Sequence, residues 1–189
     1  MSKNNLTKMI KRCSRCNTKN PLYIDYHDHE RWIPRFDDQY LFEMLILESF
    51  QAGLSRECVL NKRENFIKAY DNFDIEKVCN YDENKISELM KNPWIIRNRL
   101  KIKASINNAK IFKNIVNEFW NFYGYLKTFT NWEIIHEIWK TTNERSDNIS
   151  KDLQKRWMKF VWSVIIYSYL QAIGIINSHE KDCWFYKLS

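Results

Sequence analysis

Apolar residues recur at intervals of three and four along almost the whole of this 189-residue chain, and no sustained alternation of period two appears. That periodicity confines the chain to an all-α class, because a half-buried sheet needs the two-residue repeat. Helices are expected over residues 37–51, with Asp37 or Asp38 as cap and Gly53 at the exit, and over 57–70, 75–79, 83–90 and 96–122. Two more cover 146–155 and 160–173, the last ended by Gly174. Residues 131–147 read as a polar connection with one short helix, and residues 21–30 as an aromatic and histidine-rich loop. The length suits a single domain over residues 13–189 behind a disordered extension of residues 1–12.

The longest apolar run, 160–173, is too short to span a bilayer, and the N-terminus has charge but no apolar core of signal-peptide length. A cytoplasmic location with no membrane partner is therefore expected. In that compartment the five cysteines read as thiols or metal ligands, not as a disulfide framework. A net charge of +7 favours a polyanionic partner. The basic series Arg97, Arg99, Lys101, Lys103, Lys110 and Lys113 reads first as a solvated helix face.

Two clusters carry chemistry. Helical spacing puts Glu48 on a stripe with Leu41, Met44, Leu45 and Ala52, where an unpaired carboxylate is costly to bury. The plainer reading is an acid emerging at a helix edge. At the far end His179 and Cys183 lie four apart, so on one helical turn both face the same side and can share a metal. Two further ligands would come from Cys13, Cys16, His27 and His29, giving a Cys2His2 site that clips the chain ends together. With four protein ligands such a site is structural. The alternative is a free Cys183 thiol beside an ordinary His179.

Tyr23-Ile-Asp-Tyr26-His27-Asp-His-Glu30, Leu41-Phe-Glu-Met-Leu-Ile-Leu-Glu48, Gln51-Ala-Gly-Leu-Ser55, Ile95-Ile-Arg97-Asn-Arg99, Lys159-Phe-Val161, Tyr167-Ser-Tyr169 and His179-x3-Cys183 together resemble the DNA-3-methyladenine glycosylases of type I. The resemblance runs from about Cys13 to Cys183. It implies a helix-hairpin-helix DNA glycosylase fold whose termini join at a structural zinc held by Cys13, His27, His179 and Cys183. Cys16 is a rival to Cys13, and His29 to His27. It also implies a monomer that acts on double-stranded alkylated DNA and hydrolyses the N-glycosidic bond of 3-methyladenine, with no lyase step. Glu48 is the implied catalytic carboxylate, Tyr23, Tyr26, Arg31 and Arg56 surround the extruded base, and Lys155, Arg156, Trp157, Lys159 and Trp162 form the DNA-binding hairpin.

The departures from that family are systematic. Its glycines stand here as Trp32, Trp94, Trp157 and Trp162, and its tryptophans as Arg15, Arg31 and Arg56. The chain has three glycines against about 13 expected from average usage, and eight tryptophans. So regular an exchange predicts a reassigned genetic code, with UGA read as glycine and some CGN codons as tryptophan. The alternatives are a catalytically impaired, zinc-stabilised DNA-binding paralogue and a metal-stabilised protein-interaction domain.

Overall fold

The structure, a computed structural model, describes residues 10–131 and 133–187, so the larger part of the extension expected over residues 1–12 lies outside the described residues. It is mostly helical. In chain order the helices are α1 (Pro21–His29), α2 (Asp38–Gln51), α3 (Arg56–Leu60), α4 (Arg63–Ala69), α5 (Ile75–Cys79), α6 (Glu83–Lys91), α7 (Arg99–Phe119), α8 (Phe122–Thr130), α9 (Glu144–Lys155) and α10 (Ser163–Ala172). One feature departs from an all-α reading. Two two-residue strands, β1 (Ile135–His136) and β2 (Ile176–Asn177), pair in parallel and stitch the connection after α8 to the chain beyond α10.

The centre is α2. Leu41, Phe42, Leu45, Ile46 and Phe50 are wholly inaccessible, as in a helix that is apolar around most of its circumference and packed on all sides. Asp37 starts it by accepting from the Tyr40 amide at 2.8 Å. Against α2 pack α10 and the 21-residue α7, whose Phe112 stacks on Phe122 of α8 with ring centroids 4.0 Å apart.

Caps explain where helix ends differ from the periodicity. The expected 96–122 helix starts at Arg99, because Asn98 accepts from the Lys101 amide. It stops at Phe119, because Trp120 turns left-handed and Asn121 caps α8. Asn143 and Ser146 form a reciprocal cap that starts α9 at Glu144. The expected 57–70 helix breaks at Asn61–Lys62 into α3 and α4. The last core helix begins at Ser163, not at 160, since Phe160 has φ +54°. Residues 21–30, expected as a loop, form α1: Asn20 accepts from the Leu22 amide, and Pro21 occupies the first turn, where its missing N–H costs nothing.

Candidate active site and metal centre

Glu48 lies three turns into α2 and is 6% exposed, the only buried carboxylate of that helix. Its Oε1 accepts from Arg56 Nη1 at 2.8 Å and its Oε2 from Gln51 Nε2 at 2.9 Å. Tyr26, Met44, Leu47, Val59, Leu60 and Arg63 complete a pocket with about 30 Å³ of free space, enough for a water or two but not for a purine. A base pocket around Glu48 was expected. Here it is closed, because Arg56 folds onto the carboxylate.

Arg56 opens α3, capped by Ser55, and is held in its charged form by Glu48 against the opposing effect of burial. Arg31 lies nearby and is also buried. Its Nη2 donates to Gln171 Oε1 at 3.0 Å, while Nε has no partner. Burial, reinforced by the charge of Arg56, brings its pKa down to about 10. Tyr26 is buried on α1, and that burial raises its phenol pKa. Tyr23, one turn earlier, is buried as well but does not line the pocket.

The four expected metal ligands converge. Cys13, His27, His179 and Cys183 are all buried, and their donor atoms lie within 4.8 Å of one another. His179 Nδ1 is 3.5 Å from Cys13 Sγ and 3.4 Å from Cys183 Sγ, and His27 Nε2 is 3.8 Å from Cys183 Sγ. A tetrahedron with zinc bonds of about 2.3 Å to sulfur and 2.0–2.1 Å to nitrogen has N···S edges of about 3.6 Å. The group therefore has the size of a zinc site. Beyond the ligands, His27 Nδ1 is 2.8 Å from Asp28 Oδ1, and Arg12 clamps Asp28 at 2.6–3.0 Å, the outer-shell arrangement that fixes a ligating imidazole. Cys16 is buried but outside the group, and His29 is exposed and paired with Asp25. The segment bearing His179 and Cys183 is a turn, not a helix: the Cys183 amide donates to Glu180 O at 2.8 Å and swings the thiol back onto the histidine.

The hairpin between α9 and α10 forms a groove of about 620 Å³ with α7, lined in part by Lys103, Asn107, Trp157, Lys159, Phe160 and Trp162. Trp162 stands at the cap of α10 with no side-chain hydrogen bond, so no side chain caps the first amides of that helix. Lys155 is exposed but does not line the groove. Arg156 reaches away from it to Glu118 and Asp152.

Three positioning residues escaped the sequence reading. Lys101, placed among solvated lysines, is 7% exposed, and its Nζ donates to Phe50 O at 2.8 Å and Ala52 O at 2.6 Å. It thereby satisfies the last carbonyls of α2 and fixes the turn that leads to Arg56. Asn108 donates to Lys159 O and accepts from the Lys159 amide, both at 2.8 Å, fastening the hairpin to α7. Gln171 bridges Arg31 and Ser178. For Lys101 a signal existed: at intervals of three and four it shares a face of α7 with Ala104, Ser105 and Asn108, all buried.

Comparison with known proteins gives a consistent result. The methyladenine glycosylase family profile matches residues 16–187. DNA-3-methyladenine glycosylase 1 of Escherichia coli (strain K12) is 40% identical over 176 residues, 89% of this chain and 94% of that protein. A crystal structure of 3-methyladenine DNA glycosylase I superposes with a TM-score of 0.88 at 36% identity, covering 92% of this chain and 98% of that one. A substituted form of an enzyme of that name, in complex with 3-methyladenine, gives 0.84 at 33% identity over 88% and 93%. Among the described residues no helix is long and apolar enough to cross a membrane.

Proposed function

The chain belongs to the methyladenine glycosylase family, and we propose that it is a DNA-3-methyladenine glycosylase, hydrolysing the bond between 3-methyladenine and deoxyribose in alkylated double-stranded DNA as part of base-excision repair. The observation that carries this reading is Glu48, a carboxylate buried in the apolar wall of a pocket beside Tyr26. Alkylation at N3 makes the base cationic and a good leaving group. The task left to the protein is to extrude the nucleotide, hold the base and favour its charge until the bond breaks. Glu48 offers the complementary charge and accepts from the exocyclic amine. Tyr26 supplies a neutral ring and hydroxyl. Arg56 occupies the place of the base cation and must leave for substrate to enter.

No lysine lines the pocket among the described residues, which supports hydrolysis without a Schiff base. Zinc held by Cys13, His27, His179 and Cys183 supplies a cross-link between the chain ends. The groove by the hairpin carries Lys103 and Lys159 and ends at Trp162, the cap of α10, which suits backbone phosphates.

The test is release of 3-methyladenine from methylated duplex DNA by the protein, and its loss in Glu48→Gln. The closed pocket favours a second reading, an impaired DNA-binding paralogue. Salt-dependent DNA binding without release, in the chain and in variants that open the pocket, would decide for it.

A further inference from the structure

Four tryptophans stand where the backbone asks for glycine. Trp32, Trp120, Trp139 and Trp157 have φ of 67°, 71°, 68° and 70°. Only a few per cent of residues other than glycine adopt positive φ, chiefly asparagine and aspartate. Of the eight tryptophans, all but Trp132 are described, so fewer than one is expected there.

The exit of α9 shows what such a position requires. The Trp157 amide donates to Gln154 O at 2.9 Å and the Met158 amide to Leu153 O at 3.0 Å, the paired bonds of a left-handed helix end whose central residue is usually glycine. The same pair ends α10: Gly174 N–H to Gln171 O at 3.4 Å and Ile175 N–H to Leu170 O at 2.9 Å. There the residue is glycine, at φ +81°. Trp120 takes the left-handed position at the end of α7. Packing returns little at three of them, for Trp120, Trp139 and Trp157 are 92%, 63% and 73% exposed; Trp32 is buried against the rings of His27 and His179, yet its indole N–H has no partner. Trp162, at φ −65°, makes no such demand.

Two arginines are misfits of the opposite kind. Arg31 is buried with an unpaired Nε and no carboxylate partner among the described ion pairs. Arg56 fills the pocket and occupies Glu48. Arg31 also lies 4.3 Å above the ring of Trp32, and Arg15 4.3 Å above that of Trp139, so the arginines and the left-handed tryptophans meet in space.

We propose that the cell making this protein reads the codons at 32, 120, 139 and 157 as glycine and those at 31 and 56 as tryptophan, so that the working enzyme has ordinary left-handed turns and two further rings around an unpaired Glu48. The glycine half stands on the backbone alone. The tryptophan half rests also on the base-excision reading given above.

The gene's codons and the peptide masses of protein isolated from its own cells read the assignment directly. One shared codon other than UGG at the four sites, with glycine masses there and tryptophan masses at 31 and 56, is expected. UGG at those four sites, or tryptophan in those peptides, overturns the glycine half, and arginine at 31 and 56 overturns the other. Recombinant protein carrying Trp32→Gly, Trp120→Gly, Trp139→Gly and Trp157→Gly is expected to melt above the chain as written, and equal or lower melting counts against the backbone argument. Adding Arg31→Trp and Arg56→Trp is expected to raise 3-methyladenine release at least tenfold; unchanged release refutes the pocket half. If neither chain releases the base, the base-excision reading falls while the peptide masses still decide the codon assignment.

Discussion

Replacing Arg56 by tryptophan should convert a self-occupied pocket into one that admits a base. The guanidinium is 2.8 Å from Glu48 Oε1, and the two side chains are 15% and 6% exposed. Unit charges about 4 Å apart attract by about 4 kcal/mol at an effective dielectric near 20, and desolvation cancels a large part of that. A residue of about 2 kcal/mol must be overcome whenever a base enters, which holds the open form near 3% and weakens apparent binding about thirtyfold. A ring at 56 removes that term and adds base stacking worth about 1–3 kcal/mol. Together these predict a rise in kcat/KM of roughly 10²–10³-fold. Arg56→Ala, which frees Glu48 without supplying a ring, should gain only the first factor, about thirtyfold. The assay is release of 3-methyladenine from methylated duplex DNA, followed chromatographically. Both variants leave Glu48 with Gln51 alone, so urea unfolding should show a loss of about 1–3 kcal/mol. Release rates within threefold of the parent, from variants that remain folded, would refute the idea that Arg56 plugs the pocket.

Zinc content, measured by atomic emission, should be stoichiometric in the parent and absent in Cys183→Ser. Because the site closes nearly the whole chain into a loop, its loss should cost on the order of 5 kcal/mol in stability. Lys101→Met removes two charge-assisted bonds to the end of α2 and should destabilise by about 2–4 kcal/mol in urea unfolding, with a larger loss of base release than Lys113→Met on the exposed face. If Lys155 meets a phosphate, Lys155→Ala should weaken binding alike for methylated and unmethylated duplexes and lower the slope of log K against log salt by about 1.

What the sequence made legible follows the range of the forces involved. Helix α2 was readable because its cap, its apolar circumference and Gly53 are all local. The metal ligands were readable as residue types, yet Cys16 and His29 could be set aside only once α1 turned His27 inward and left His29 in solvent. The helix over residues 21–30 was missed because its apolar residues are bunched at 22–24 and 26, without a sustained repeat of three and four, and its start depends on the Asn20 cap and Pro21. Lys101 was misread because charge alone cannot say that its ammonium ends against two carbonyls about fifty residues away. The closed pocket had the same cause in reverse: Arg56 and Glu48 are eight residues apart on different helices, and only their packing makes them partners.

The metal centre and the base pocket share α1, which gives the zinc a role beyond tying down chain ends. Tyr26 lines the pocket and His27, the next residue, belongs to the ligand group, so the rotation of one short helix sets both. Around the ligands Cys13, Trp32 and Cys183 form a small cluster with Phe185 and Tyr186, separate from the main core built on α2 and α7. Removing the metal should therefore loosen α1 and the terminal turn while leaving the core intact, because the two clusters are stabilised independently. A displacement of Tyr26 by about 1 Å can cost as much as 10²-fold in rate. Chelated protein is expected to lose amide protection over residues 10–33 and 178–187 and to lose base release, with α2 and α7 still protected. Protection lost together in all segments would mean that the cross-link supports the whole fold, and full protection of α1 without metal would mean that the helix is held by packing alone.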